Sequence, residues 1–238
     1  MTKIKQKKFK QKRKLWFRAI KKIMRIRYKR PKFIFLDEKP SKGSIILSNH
    51  EGTDAPMSLE MYCDFPIRLW GSNEMNSGLV KLYKYQTRVY YHEKKHWNLF
   101  LARMFCLIAS PLTNLFYKGL NLISTYTDIR FRSTIKESLK SLKNGDNIVI
   151  FPEKSDEGYL KQLKGFYAGF ILLAKECERN GIDVPIYTAY YKKETHTYVF
   201  DKPIYFSELK ARFSSKELIC EYLVNNCNKL EAIDSDLM

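Results

Sequence analysis

One short segment of the chain combines residue types that can move a proton. Residues 48–54 read Ser-Asn-His-Glu-Gly-Thr-Asp, so His50 is followed by the carboxylates Glu51 and Asp54. A carboxylate a few residues after a histidine can hold the imidazole in one tautomer and stabilise its protonated form. His50 with Asp54, or with Glu51, is therefore a candidate general base for a hydroxyl group. In the alternative interpretation Asp54 only caps the helix that begins near Ala55, and His50 is an ordinary turn residue.

A second polar cluster follows another apolar run. Phe151-Pro152-Glu153-Lys154 comes at the end of the run 148–151, just as His50 follows the run 44–47. Proteins with parallel sheets place their ligands at the carboxyl ends of the strands. We therefore expect His50 and Glu153 to project from the same edge of a sheet and to share one cleft.

The elements that must position these residues are indicated by apolar runs that alternate with helical patterns. The predicted strands are 33–36, 44–47, 148–151, 184–191, 197–200 and 204–206. The predicted helices are 56–62, 96–109 with a break at Pro111, 133–143, 166–178 and 216–230. Strands separated by helices predict one α/β domain, with a central and largely parallel sheet flanked by helices.

The positive charge of the chain is concentrated at its beginning. The 238 residues hold 43 Lys and Arg against 25 Asp and Glu, a formal charge of +18. Residues 1–32 contribute 16 basic side chains and no acid, which leaves 27 against 25 for residues 33–238. The sequence thus predicts a basic segment, 1–32, that meets an anionic partner, and a nearly neutral globular domain, 33–238.

The basic segment contains an amphipathic helix with aromatic side chains. On a helical wheel of residues 14–28 one broad arc is apolar and the opposite side is basic, with only Arg27 inside the apolar arc. The apolar residues are Leu15, Trp16, Phe17, Ala19, Ile20, Ile23, Met24, Ile26 and Tyr28. Such a helix suits the surface of an anionic bilayer and predicts a peripheral protein at the cytoplasmic face of a membrane. In one alternative this face packs on the domain and the basic tail is solvated. In another, which the lack of a reading motif disfavours, residues 3–14 bind nucleic acid.

The remaining composition predicts a chain that neither is secreted nor crosses a bilayer. Five cysteines without a C-x-x-C pair favour buried thiols in a reducing compartment, and the start of the chain is too charged for a secretory signal. The most apolar run, 104–117, is interrupted at Ser110-Pro111 and is predicted to be too short for a span. The longer run 97–117 is predicted to be core, with the lining of a channel or a membrane-facing mouth as the alternative.

The order of the motifs resembles that of the glycerolipid acyltransferases, a family that includes bacterial 1-acylglycerol-3-phosphate acyltransferases. The family blocks are N-H-x4-D, a glycine-and-arginine block, F-P-E-G-T-R-S and V-P-hydrophobic, and the resemblance covers roughly residues 40–206. The matching stretches are Asn49-His50 with Asp54, residues 119–132, Phe151-Pro152-Glu153 and Val184-Pro185-Ile186. Three residues instead of four separate His50 from Asp54, Lys154-Ser155-Asp156 follows F-P-E, and the arginines come late, at Arg130 and Arg132.

This resemblance implies transfer of a fatty acyl group from acyl-CoA or acyl carrier protein to a lysophospholipid, with 1-acyl-sn-glycerol 3-phosphate as the favoured acceptor and no cofactor. His50 would deprotonate the acceptor hydroxyl and Asp54 would orient His50. The implied substrate-binding residues are Asn49, Glu51, Glu153, Lys154, Arg130 and Arg132. A different lipid acceptor and a non-enzymatic membrane adaptor stay open as alternatives.

A competing motif predicts a different class of enzyme. His92-Glu93-Lys94-Lys95-His96 matches H-E-x-x-H, in which two histidines on one helix face bind zinc and the glutamate is the base. The two central lysines disfavour a buried helix, and a third ligand would have to be His50 or His196. We therefore predict no metal and keep a zinc metalloprotease as the alternative.

Overall fold

Eight strands form one mixed sheet in the part of the chain that the structure, a computed structural model, describes, namely residues 14–154 and 160–233. The strands are β1 (Lys32–Phe35), β2 (Ile45–Ser48), β3 (Ile67–Ser72), β4 (Ile123–Thr125), β5 (Asn147–Ile150), β6 (Pro185–Lys192), β7 (Thr197–Phe200) and β8 (Ile204–Tyr205). Their order is β1-β7-β6-β2-β5-β3-β4, with β8 paired to β6. Strands β2 to β6 run parallel and share one carboxyl edge, whereas β7 and β8 pair antiparallel to β6. The predicted α/β class with a largely parallel sheet is confirmed.

Helices cover both faces of this sheet. They are α1 (Leu15–Arg27), α2 (Asp54–Tyr62), α3 (Asn73–Asn76), α4 (Leu79–Lys84), a π-helix (Tyr85–Lys94), α5 (Leu99–Leu120), α6 (Phe131–Lys143), α7 (Gly169–Arg179), α8 (Phe206–Arg212), α9 (Lys216–Lys229) and a 3-10 turn (Leu230–Ala232). One apolar core joins the sheet to α6, α7 and α9. The other core joins it to α1, α2 and the end of α5. Strands β2 and β5 lie between the two cores and are buried along their whole length, as their continuous apolar runs predict.

Helix α5 differs from the sequence prediction in its length. It continues through Pro111 to Leu120, where Asn121 adopts the left-handed conformation, so the predicted break is wrong. Pro111 has no backbone N–H to donate, but the residues on both sides of it remain helical. The Thr113 hydroxyl also donates a hydrogen bond of 2.6 Å to the Ala109 carbonyl. The resulting 22 residues are long and apolar enough to cross a bilayer by length and composition, which for a single helix is weak evidence of a span.

The exposure of α5 also differs from the prediction. Only 17% of its most apolar stretch is buried, so the expectation that the run 97–117 belongs to the core is wrong. The helix instead packs on α4 and the π-helix, which precede it in the chain, and only its last turn enters the core. A wheel of one helix cannot show which of its faces a neighbouring element will cover.

The cysteines agree with the expectation of buried thiols. All five are free, and four of them are buried. Burial raises the pKa of the Cys177 thiol to about 12 and raises those of Cys63 and Cys227 as well. These thiols therefore stay protonated near neutral pH and serve packing.

Candidate functional site

The two polar clusters meet where β2 and β5 end. These strands are parallel neighbours, with Leu47 opposite Ile150, so their carboxyl ends open at the same edge of the sheet. There the backbone N–H of His50 donates a hydrogen bond of 3.0 Å to Oε2 of Glu153. The Glu153 side chain is buried, with the whole residue 6% exposed. The structure thus brings His50 and Glu153 into direct contact.

The environment of His50 favours the neutral imidazole. The ring packs edge-on against Phe151, with 5.1 Å between the centroids. Burial lowers the pKa of His50 below its ordinary value, and backbone hydrogen bonds of Gly52 and of His50 itself oppose this shift in part. A neutral imidazole at neutral pH is the form that can accept a proton from a hydroxyl.

Asn49 fixes the chain just before His50. Its side chain is buried, its amide nitrogen donates to the Tyr191 carbonyl at 3.0 Å, and its amide oxygen accepts from the Tyr191 N–H at 2.7 Å. The amide thereby continues the pairing of β2 with β6 beyond Ser48. Asn49 therefore holds the backbone before His50 in place, and its implied contact with substrate stays a prediction.

The carboxylates of Glu51 and Asp54 share a cation that the sequence analysis missed. Lys193 Nζ lies 3.7 Å from Glu51 and 3.6 Å from Asp54. Asp54 is the first residue of α2 rather than its cap, and the orienting role toward His50 stays a prediction. The strand β6 could have indicated the location of Lys193. Because β6 runs parallel to β2, Lys193, which directly follows β6, lies at the same edge of the sheet as His50.

The turn after His50 depends on unusual backbone conformations. Glu51 and Gly52 both have positive φ, at 39° and 62°, which reverse the chain between β2 and α2. A side chain at Gly52 would meet no other atom within 4 Å, so glycine is required by its dihedral angle alone. Open space therefore lies beside the chain two residues after His50.

Glu153 ties the two loops together and is not an ordinary surface carboxylate. Burial raises its pKa, with a smaller contribution from the charge of Glu51, while the N–H groups of His50 and Leu160 oppose the shift. Its backbone also forms an isolated bridge with Phe166. Because this carboxylate accepts the His50 N–H, it fixes the position of the loop that carries His50.

The other implied substrate-binding residues are exposed and lie farther along the edge. The Lys154 side chain is exposed, with Nζ 5.9 Å from the centre of the Tyr167 ring. Arg130 and Arg132 follow β4, two strands beyond β5, or about 10 Å at the usual strand spacing. Arg130 binds Asp128 through two nitrogens, at 3.0 and 2.7 Å, and Arg132 is exposed in the first turn of α6. The structure does not bring these cations into contact with His50 or Glu153 within the described residues.

The H-E-x-x-H segment lacks the helical geometry that a zinc protease needs. The π-helix ends at Lys94, and His96 lies beyond it with a positive φ of 55°. Nδ1 of His92 lies 2.9 Å from the Trp97 carbonyl oxygen. The two histidines therefore do not share a helix face, and the described part of the chain contains no group of three or more His, Cys, Asp or Glu that could hold a metal.

A cavity of about 310 Å³ adjoins the site. It reaches Glu51 and Lys193 on one side and the 3-10 turn near the end of the chain on the other. Its remaining lining residues are Lys161, Tyr190, Tyr191, Lys192, Glu194, Thr195, Glu231, Ala232 and Ile233. The lining combines six charged residues with tyrosine and aliphatic side chains, so it offers both polar and apolar contacts.

Similarity to known proteins is found among solved structures. No protein-family model and no curated protein matches the chain. Among solved structures the chain is similar to the 1-acyl-sn-glycerophosphate (LPA) acyltransferase PlsC from Thermotoga maritima, with a TM-score of 0.48 and 13% identity, over 92% of this chain and 79% of that chain. A likeness of this size does not decide the activity of this chain, which we argue from its own residues.

Proposed function

We propose that this chain is a lipid acyltransferase in which His50 is the general base. The observation that carries the proposal is the position of His50 at the carboxyl edge of the sheet, where its backbone N–H donates to the buried Glu153 and burial lowers the pKa of its imidazole. The motif order along residues 40–206 supports the same reaction class. Acyl transfer from a thioester needs a base and an oxyanion site but no metal ion.

In the proposed mechanism His50 takes the proton of the acceptor hydroxyl while its oxygen attacks the thioester carbonyl. The tetrahedral intermediate then expels the thiolate, and the imidazolium returns the proton to the sulfur, so an ester and a free thiol are formed. The carboxylates of Glu51 and Asp54 follow His50 in the same turn and favour the imidazolium that forms. Lys193 limits their combined negative charge.

The proposed acceptor is a lysophospholipid, with 1-acyl-sn-glycerol 3-phosphate as the favoured member and acyl-CoA or acyl carrier protein as the donor. The support is chemical: Lys154, Arg130 and Arg132 are cations at the carboxyl edge, and a phosphate would have to displace Asp128 from Arg130. An uncharged glyceride acceptor would not need these side chains.

The test is an acyl-transfer assay on the full chain with labelled acyl-CoA or acyl carrier protein and a panel of lysolipids and neutral glycerides. We expect His50→Ala to reduce turnover by about 10²-fold or more, because proton transfer is lost. His92→Ala is the matched control, since it removes an exposed imidazole of the competing motif, and it should leave turnover unchanged.

Three outcomes would contradict parts of the proposal. Wild-type turnover in His50→Ala would exclude the mechanism, and transfer only to neutral glycerides would exclude the phosphate-bearing acceptor. Membrane binding without consumption of any acceptor would support an adaptor instead of an enzyme.

A further inference from the structure

The outward face of α5 is apolar and no described element covers it. Its eight exposed apolar side chains are Phe100, Leu101, Met104, Phe105, Leu107, Ile108, Leu112 and Leu115, with exposures between 45% for Phe105 and 74% for Ile108. At 100° per residue they occupy an arc of about 160°, and Lys118 in the last turn is the one charged residue of α5 that falls within it. An exposed patch of this size marks a binding surface.

The inward face of α5 shows that this helix is half of an amphipathic hairpin. The small residues Ala102, Cys106 and Ser110 are buried, and the Ser110 hydroxyl donates to the Gln86 side chain in the π-helix at 2.6 Å. The partner helices carry exposed cations at Lys81, Lys84 and Arg88. A pair of helices with one apolar side and one cationic side matches the surface of a bilayer and not its interior.

The charge of this region selects an anionic partner. Residues 77–121 contain seven Lys and Arg and one acid, Glu93, so this stretch of the nearly neutral domain carries +6. An isologous contact between two copies of the chain would bring these charges together and would be opposed by their repulsion. Anionic phospholipid headgroups would instead neutralise them.

Tryptophans mark both ends of the apolar face. At the beginning of α5, Trp97 packs against Phe105, with 5.5 Å between ring centroids. At its end, Trp16 of α1 lies edge-on to Phe17, and Phe17 lies so close to Gly119 that an added Cβ would be 1.9 Å from its ring. Tryptophan prefers the boundary between acyl chains and headgroups.

Helix α1 adds more cations to the same flank. Lys21 and Arg25 are used within the protein, since they bond the Glu60 carboxylate and the Met61 carbonyl at the end of α2. The other basic side chains of α1 and of the residue before it are exposed, namely Lys14, Arg18, Lys22 and Arg27. Phe17 is fully buried against Phe116 and Gly119, so α1 with its exposed cations packs on the last turns of α5.

We propose that α5 lies in the interfacial layer of an anionic phospholipid bilayer, with its apolar face among the acyl chains and the cations of α1, α4 and the π-helix at the headgroups. The membrane contact predicted for residues 14–28 thereby moves to α5, and α1 becomes its cationic flank. The docking rests on the exposed residues and is independent of the proposed acyl transfer.

The length of α5 connects this surface with the edge of the sheet where His50 lies. The helix is about 33 Å long, whereas strands of four to six residues span about 13 to 20 Å. Since α5 ends at the amino edge, where β4 begins, and is longer than the strands, it has the length to reach past the carboxyl edge. If the proposed function holds, a lipid acceptor would reach His50 from the docked side of the molecule.

The test is flotation of the full chain with vesicles of phosphatidylcholine and phosphatidylglycerol. Leu101→Gln with Ile108→Gln should weaken vesicle binding by about tenfold or more, because two exposed apolar side chains leave the lipid. Leu172→Gln is the matched control: Leu172 is exposed on α7, on the opposite face of the sheet, and this change should have no effect. Replacing Lys14, Arg18 and Lys22 by Gln should weaken binding to anionic vesicles and reduce its salt dependence.

Unchanged flotation of the Leu101/Ile108 variant would overturn the proposal. Resistance of the bound protein to alkaline carbonate would also overturn it in favour of a spanning helix. A dimer that the same substitutions dissociate, without vesicle binding by the wild type, would assign the face to a second copy. The His50→Ala variant should still float, so failure of the docking and failure of the catalytic proposal are distinguishable.

Discussion

At the scale of single residues, the burial of His50 leads to a prediction about pH. Its pKa lies below the ordinary value of 6.5, chiefly because burial disfavours the charged ring. The imidazole therefore stays neutral to lower pH, and activity is lost only as the pH falls through this lowered pKa. We expect the acid limb of the kcat/KM profile to have its midpoint below pH 6.5. A midpoint at or above 6.5 would show that another group controls the limb.

Glu153 is predicted to act as a positioning residue through the His50 backbone. Glu153→Gln keeps an oxygen that can accept the His50 N–H and should retain kcat/KM within about tenfold of the wild type. Glu153→Ala leaves this N–H without its acceptor, and we expect a loss of about 10²-fold because the base shifts. Equal losses in both variants would instead assign a role to the negative charge itself.

That His50 and Glu153 lie at one edge of the sheet could be predicted from the sequence, because each comes within three residues of the end of its strand. The contact of Lys193 with Asp54 could not, because it depends on how β6 pairs with β2, more than 100 residues apart. The sequence also could not show that the side-chain amide of Asn49 forms two hydrogen bonds with the backbone of Tyr191, because the two residues become neighbours only in the folded sheet.

At the scale of elements, the contact between α1 and α5 is predicted to be sensitive to a single carbon atom. Gly119→Ala would place a Cβ 1.9 Å from the buried Phe17 ring. We expect the free energy of unfolding to fall by about 1–3 kcal/mol, because a packed ring must move. Denaturant unfolding measures this change. In the double variant Gly119→Ala with Phe17→Leu, the loss of unfolding free energy should be smaller than the sum of the losses in the two single variants. A loss equal to that sum would contradict the packing described.

The helical wheels predicted these two helices only in part. Along α1 the apolar arc divides, since Phe17 is buried and Ile20 and Met24 pack on the core, while Ile23 and Ile26 are exposed. Packing of that arc on the domain is therefore confirmed for part of it, and its membrane contact stays a prediction. Residues 1–13 lie outside the described residues. For α5 the apolar pattern was evident, but which element would cover it depends on the tertiary arrangement, not on periodicity.

At the scale of the molecule, the two faces of the sheet have different partners. One face is closed by α6, α7 and α9, which complete a continuous core. The other carries α1, α2 and α5, and beyond its core it presents apolar side chains and positive charge. Residues 33–238 carry +2 and residues 77–121 carry +6, so the rest of the domain carries −4. The net positive charge outside residues 1–32 is thus concentrated in the stretch that forms α4, the π-helix and α5.

This asymmetry predicts an uneven distribution of stability. The first half of α5 has one face without tertiary contacts, whereas β2 and β5 are buried along their whole length. Segments with few buried contacts open locally, at a lower free energy than global unfolding. In water without lipid, we expect the amides of residues 99–112 to exchange with deuterium at least about tenfold faster than those of 147–150. Peptide-resolved exchange by mass spectrometry measures both, with α9, a helix of the closed face, as the control for helical amides. Equal protection of α5 and α9 would show that the hairpin is as stable as the closed core, and it would remove the energetic distinction between the two faces.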